Sequence, residues 1–186
     1  MPTQFTLPQI FAEAEAIARD AQSGFGHLNA EQLNWKPSAD EWSVAQCLEH
    51  LIAANRALFF RAFDQTINGT RRTAFIERLP LLPGFFGWMV FKAMSGKQKF
   101  KAPADIVPSA STLDPRVVSQ FVAHQQEAIE KMKVIEKLNP ASIIITSPFA
   151  SIVTYSLLDA CRIIVVHERR HFTQAERVIA AADFPK

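Results

Sequence analysis

Two histidines four residues apart, His167 and His171, are the strongest chemical signal in this sequence. An α-helix turns by about 100° per residue, so these side chains project from one helix face about a turn apart. Such a pair is a common way to chelate a transition metal from a single helix. Surface helices also carry histidine pairs by chance, so the spacing alone does not establish a metal site.

The position of the pair on its helix favours a metal site. Both histidines lie at the edge of the apolar face, so we expect them to point into an interface between helices. A site there needs a third ligand from a neighbouring helix, and His50 is the candidate, because small residues around it would leave room for an ion. The alternative for His50 is a histidine that is simply hydrogen-bonded between helices. His27 and His124 are interpreted as surface residues.

Three further side chains could assist such a site. Glu168 falls near the centre of the apolar face, where an unpaired carboxylate would be costly. It is therefore a candidate catalytic base or ligand-orienting group, and the alternatives are an ion pair with Arg56 or a side chain that reaches solvent. Gln174 could orient a ligand or could be an ordinary polar residue. Cys47 could approach the ion, although a core cysteine is the favoured interpretation.

Four segments with an apolar period of 3.6 residues would have to position these side chains. We predict helices within residues 7–25, 43–69, 114–140 and 156–179. Ser43 with Gln46 forms a capping box, and Asp114 followed by Pro115 is typical of a helix start. No segment shows a convincing strand alternation, so the predicted fold class is all-α, a four-helix bundle.

The connection between the second and third helices exceeds 40 residues, which is long for a compact domain. An apolar segment from Phe85 to Met94 predicts a short extra helix within it. This helix could pack on the end of the bundle as a lid, or it could form a dimer surface or a substrate-access flap. Lys97, Lys99 and Lys101 follow, and they form either a solvated basic loop or a site for the carboxylates of a thiol cofactor.

Composition limits the classes of protein. With 186 residues, 48% hydrophobic and 20% charged, the chain is expected to form one soluble domain over residues 1–186. A net charge of +2 gives no support for nucleic-acid binding. Two cysteines cannot form a disulfide framework. No signal peptide is evident, and the most apolar stretch is too short and broken to span a bilayer, so we expect a cytoplasmic protein without a membrane partner.

Taken together, these motifs resemble the DinB/YfiT-like family. The resemblance is carried by the stretches LNWKPSADEWSVAQCLEHL, KFKAP and HERRHFTQ. The matching features are a Trp-Ser start to the second helix, a histidine seven residues after that serine, and a late H-x-x-x-H followed by glutamine. The residues concerned are Trp42, Ser43, His50, His167, His171 and Gln174.

The resemblance implies a four-helix bundle with a long crossover, often dimeric, and a three-histidine site for nickel, zinc or a similar ion such as manganese or iron. Family members are described as metal-dependent hydrolases. Some relatives transfer low-molecular-weight thiols such as mycothiol or bacillithiol, and many have no demonstrated activity.

Two functions are compatible with this resemblance. Three neutral imidazoles leave a coordination position open, where water would become more acidic or a thiol would bind as thiolate. We therefore expect a hydrolase or a thiol-dependent S-transferase that acts on a small molecule. The alternative is a non-catalytic stress-response or metal-sequestering protein in which the metal is structural.

Overall fold

Most of the chain is α-helical in the computed structural model, which describes residues 5–79, 82–96, 103–110 and 112–186. The helices are α1 (Leu7–Phe25), α2 (Ala30–Asn34), α3 (Val44–Asn55), α4 (Arg61–Ile67), α5 (Leu82–Ser95), α6 (Val117–Glu136) and α7 (Leu157–Ile179). Two strands, β1 (Ile144–Ser147) and β2 (Ala150–Ser156), precede α7. No helix in these described ranges is long and apolar enough to cross a membrane.

The caps fix the two helices that carry the histidines. Ser43 Oγ accepts a hydrogen bond from the Gln46 backbone N–H at 3.1 Å, and Gln46 Oε1 accepts one from the Ser43 N–H at 3.1 Å. At the start of α7, Ser156 Oγ accepts from the Asp159 N–H at 3.0 Å. These side chains satisfy amide groups that have no partner within the helix. The predicted starts of both helices are therefore confirmed.

The start of α6 differs from the prediction. The helix begins at Val117 and its N-cap is Arg116, so the start at Asp114-Pro115 was placed too early. Asp114 instead accepts from the Arg116 backbone N–H at 2.8 Å and forms an ion pair with the Arg116 guanidinium at 2.7 Å. The aspartate therefore stabilises the turn that leads into the helix.

The second predicted helix is interrupted. A π-helical turn over Arg56–Phe60 separates α3 from α4. A π-turn adds one residue to the helical repeat and so changes which side chains face inward. Asn55, Phe59 and Phe63 are all buried along this segment, with exposures of 0%, 2% and 0%. Hydrophobic periodicity does not resolve a one-residue insertion, so the prediction treated the segment as continuous.

The prediction that the chain contains no strand was wrong. β1 and β2 form an antiparallel hairpin in which Ile145 pairs with Tyr155 and Thr146 with Thr154. The segment is rich in β-branched residues, which favour strands. Its alternation is obscured by an irregular register between Thr146 and Ser147 and by a helix, α5, that packs on β2.

Four helices, α1, α3, α6 and α7, pack together around the core. α1 contacts α6 and α7, and α3 contacts the same two helices. Their apolar faces form one continuous core, with fully buried residues that include Ile10, Leu48, Phe121 and Ile164. This packing brings α3, which carries His50, against α7, which carries the histidine pair.

The extra helix predicted from Phe85 to Met94 is confirmed as α5. It packs on α7 and β2, as the lid interpretation expects. Its apolar side chains are nevertheless incompletely covered: Phe85 is 57% exposed, and Trp88 and Met89 are each 38% exposed. Lys97, Lys99 and Lys101 lie outside the described residues.

His124 was predicted to lie on the surface, and it is buried. Its side chain is 3% exposed and its ring stacks on Phe60 at 4.8 Å between centroids. Neither ring nitrogen has a hydrogen-bond partner among the described residues. Desolvation, with a smaller effect from Arg56, lowers the pKa of His124 to about 4. The flank position on α6 was misleading because the aromatic π-turn covers it. His27 is exposed, as predicted.

Replacing His124 by phenylalanine is expected to stabilise the protein, and more strongly in acid. In the folded wild-type protein His124 stays neutral down to about pH 4, whereas in the unfolded chain it takes up a proton near pH 6.5. The free energy of unfolding of the wild type therefore falls as the pH drops from about 6.5 towards about 4. His124→Phe removes this loss and an unsatisfied polar ring, a gain of about 1–2 kcal/mol at pH 7.

Urea unfolding at pH 7.5 and pH 5 tests this expectation. The stability gap between His124→Phe and wild type should widen at pH 5, whereas His27→Phe on the surface should show no such widening. A gap that is the same at both pH values would refute the buried, neutral state of His124.

Candidate metal site

His50, His167 and His171 converge at the contact between α3 and α7. Their side chains are almost fully buried, with exposures of 3%, 7% and 8%. The Nε2 atoms of His50 and His167 are 3.4 Å apart, and those of His171 and His167 are 3.1 Å apart. One ligand atom from each residue lies within 4.8 Å of the others. The three histidines lie together, as the sequence predicts, and the cluster could hold a metal ion.

The outer nitrogens of two rings define the chemistry at the centre. His50 Nδ1 lies 2.7 Å from the Ile106 carbonyl oxygen, and His171 Nδ1 lies 3.0 Å from Gln174 Oε1. Both partner atoms are carbonyl oxygens, which accept hydrogen bonds, so each Nδ1 is the donor and carries the proton. The Nε2 of each ring then presents a lone pair towards the third histidine. His167 can donate to only one of them, so one lone pair is left without a proton and the cluster could hold a metal ion.

Electrostatics keep the histidines neutral. Desolvation lowers the pKa of His50 and, together with the neighbouring His50, lowers that of His171 to about 3. The pKa of His167 is lowered well below its ordinary value by burial and by the other two rings. Neutral imidazole is the form that binds a metal. The three ligands are therefore ready at neutral pH without losing protons.

Trp42 covers one side of the cluster. Its ring is 4.8 Å from that of His50 and is stacked nearly parallel to that of His171 at 5.6 Å and 18°. The sequence singled out Trp42 only through the family pattern. Ile106, which lies in a short 3-10 turn of the crossover, was missed altogether. Its contribution is a backbone carbonyl, and side-chain patterns carry no signal for such a group.

Glu168 is buried at 0% exposure, as its place on the apolar face predicts. Its carboxylate accepts a hydrogen bond from Asn55 Nδ2 at 2.8 Å and another from Gln125 Nε2 at 3.0 Å. The proposed ion pair with Arg56 and the solvent-reaching alternative are both wrong. Two amide donors from α3 and α6 replace them. Desolvation raises the pKa of Glu168 to about 7, against the opposing effect of these hydrogen bonds.

Cys47 occupies the core. Its side chain is 1% exposed, and desolvation raises the pKa of its thiol to about 12. A buried thiol of this kind stays protonated and is a poor metal ligand. It is also absent from the cluster of converging ligand atoms in the described chain. The core interpretation of Cys47 is the one that fits.

Among the described residues, Gln174 is the one side chain outside the cluster that hydrogen-bonds to one of its rings. Its replacement by alanine frees the proton-bearing Nδ1 of His171, and loss of such an outer partner weakens metal affinity by about 10- to 100-fold. Isothermal titration of the apoprotein with zinc should show this loss. Gln126→Ala, which removes a surface glutamine from α6, is the matched control and should leave the affinity unchanged. Equal affinities in the two variants would contradict the orienting role.

Fold and site together define a mostly helical protein with a buried cluster of three histidines that could hold a metal ion. The model of the DinB superfamily matches residues 14–175, and the chain therefore belongs to this superfamily. No curated protein and no solved structure is significantly similar to the chain.

Proposed function

We propose that the protein is a metal-dependent enzyme that acts on a small molecule by hydrolysis or by thiol-dependent S-transfer. Its ion would be bound by His50, His167 and His171, with nickel or zinc as the best candidates and manganese or iron as further ones. The observation that carries the proposal is the convergence of three neutral rings whose Nε2 lone pairs meet without enough protons to satisfy them.

Different residues around the histidines would have different roles in the proposed reaction. When bound, the ion supplies a Lewis acid with coordination positions left open by three protein ligands. The Ile106 carbonyl and Gln174 hold two rings in the ligating orientation. Trp42 shields the cluster from water. We assign Glu168 as the group that holds or releases a proton: it follows His167 directly on α7, its carboxylate contacts Asn55 and Gln125 and not the three rings, and burial raises its pKa to about 7, which suits acid–base work at neutral pH.

The scaffold that we propose for this site is a single DinB-type four-helix bundle over residues 1–186, with α5 in the long crossover. The helix contacts described above support the bundle. We place the enzyme in the cytoplasm, with a small-molecule substrate and no nucleic-acid partner. In the S-transfer branch of the proposal, a low-molecular-weight thiol is the second substrate. A homodimer is the assembly that the family resemblance implies.

A structural metal site is the second candidate function. It is favoured by the near-complete burial of all three histidines beside Trp42. In this case the metal would stabilise the fold of a stress-response or metal-sequestering protein. Such a site would have a saturated coordination shell and would exchange no ligand.

Cobalt substitution separates the two functions. For an enzyme, adding a small thiol to the Co²⁺-loaded protein should change its visible spectrum, and metal-dependent turnover should appear in hydrolysis or thiol-conjugation assays. The apoprotein is the control for turnover. A spectrum unmoved by thiol or azide, combined with a large rise in melting temperature on metal binding, would favour the structural role and overturn the proposed one.

A further inference from the structure

Exposed apolar side chains are concentrated in one region of the surface. Nine large hydrophobic residues are exposed in the described chain, and six of them belong to α5, the β1–β2 hairpin and the short 3-10 turn Phe75–Arg78. The hairpin contacts both α5 and the 3-10 turn, so the three elements adjoin one another. We call this region the aromatic face. Its apolar members are Phe75, Phe85, Trp88, Met89, Phe149 and Ile152.

The aromatic face coincides with an excess of positive charge. The described residues 70–79 and 82–96 contain four lysines and arginines and one acid, a formal charge of +3, whereas the rest of the sequence has 16 cations and 17 acids, a charge of −1. Arg78 in the 3-10 turn and Arg72 three residues before it are exposed and form no ion pair within the described residues. Lys92 lies 5.0 Å from the centre of the Trp88 ring. Apolar and cationic side chains are therefore exposed on the same group of adjoining elements.

Helix α5 has the composition of an interfacial helix. Lys92 is its only charged residue among 14, and Gly87 is its only fully buried one. At 1.5 Å per residue its length is about 21 Å, which is too short to span a bilayer but suits a helix that lies in the headgroup region. Tryptophan and phenylalanine beside a basic residue are typical of such helices.

The helix is held firmly in place. Arg170, next to His171 on α7, donates hydrogen bonds to the carbonyl oxygens of Ala93 and Gly96 at 3.1 and 3.0 Å. These bonds satisfy carbonyls at the end of α5, which otherwise have no partner. The aromatic face is therefore presented by a helix that is fixed to the helix of the histidine pair.

We propose that the aromatic face binds peripherally to an anionic lipid bilayer. Apolar side chains enter the headgroup boundary while Arg72, Arg78 and Lys92 meet the negative surface, a combination that reinforces weak individual contacts. A second copy of this chain is a poor occupant, because symmetric pairing would bring two surfaces of net positive charge together, each with Arg72, Arg78 and Lys92 exposed. The expectation of no membrane partner rested on the lack of a spanning segment, and a surface contact needs none.

Vesicle co-sedimentation tests this proposal with the full chain and needs no enzymatic activity. Wild type should bind vesicles of phosphatidylcholine with about one third phosphatidylglycerol, and should not bind phosphatidylcholine alone. Raising the salt from about 50 to about 500 mM should weaken binding, since it screens the cations. Phe85→Ser with Met89→Ser, and separately Arg72→Ser with Arg78→Ser, should each reduce partitioning by about tenfold.

The matched control is Val134→Ser with Leu138→Ser, which removes two exposed apolar side chains at the end of α6 and should bind like wild type. Circular dichroism checks that all variants fold. The proposal is overturned if wild type ignores anionic vesicles at low salt, or if the face variants bind as well as wild type. It is equally overturned if the Phe85 and Met89 changes only convert a dimer to monomer, or if a single-stranded oligonucleotide binds more tightly than vesicles.

Discussion

Replacement of His167 by alanine is expected to abolish stoichiometric metal binding. His167 is the ring that both other histidines approach, at 3.4 and 3.1 Å between Nε2 atoms. Its loss leaves only two ligands for the ion, so the dissociation constant for zinc or nickel should rise by about a thousandfold. Titration of the apoprotein, followed by elemental analysis after gel filtration, measures the change.

His50→Ala should give the same result from a different helix, which separates loss of a ligand from local damage to α7. The control is His27→Ala, because His27 is exposed and lies outside the cluster. Thermal melts establish that each variant is folded. Retention of one tightly bound ion by either His167→Ala or His50→Ala would contradict the three-histidine assignment.

Substitution of Glu168 is expected to have the second large effect. Two different substitutions separate its proposed role in proton transfer from its role in the stability of the fold. Glu168→Ala leaves the buried Asn55 Nδ2 donor without its acceptor and leaves Gln125 Nε2 with only the Ala14 carbonyl at 3.3 Å, so it should lower the free energy of unfolding by about 3 kcal/mol. Glu168→Gln keeps the volume. Asn55 Oδ1 and Gln125 Oε1 have no partner in the described chain, so a rotated amide can satisfy the new donors. Glu168→Gln should therefore lower the free energy of unfolding by less than about 1 kcal/mol.

Turnover distinguishes a chemical role from a structural one. If Glu168 holds the proton in the proposed reaction, metal-loaded Glu168→Gln should be folded, should bind metal normally and should lose about a hundredfold in kcat. Glu176→Gln, an exposed glutamate on the same helix, is the control and should retain full activity. Full activity in Glu168→Gln, together with the instability of Glu168→Ala, would make the carboxylate a purely structural tie between α3, α6 and α7.

Long amphipathic helices and the histidine triad could be predicted from the sequence because each follows a simple geometric rule. A period of 3.6 residues marks the faces of α1 and α7, and a spacing of four puts His167 and His171 on one side. The N-caps at Ser43 and Ser156 are equally local, because the capping atoms lie within three residues.

Features that depend on contacts distant in sequence could not be predicted in this way. The burial of His124 requires the π-turn that brings Phe60 over its ring. The partners of Glu168 lie 113 and 43 residues away along the chain, and the Ile106 carbonyl lies 56 residues from His50. The hairpin was missed because packing of α5 on β2 replaces the usual alternation of buried and exposed residues.

The most direct test of the metal site is X-ray absorption spectroscopy at the metal edge of protein loaded with one equivalent of nickel or zinc. We expect a first shell that contains three imidazole nitrogens at about 2.0–2.1 Å and at least one further light atom from solvent, without sulfur. The same measurement on His50→Ala should lose imidazole scattering. A shell with a sulfur ligand, with fewer than three imidazoles, or with four protein ligands and no solvent would contradict an open site built from His50, His167 and His171.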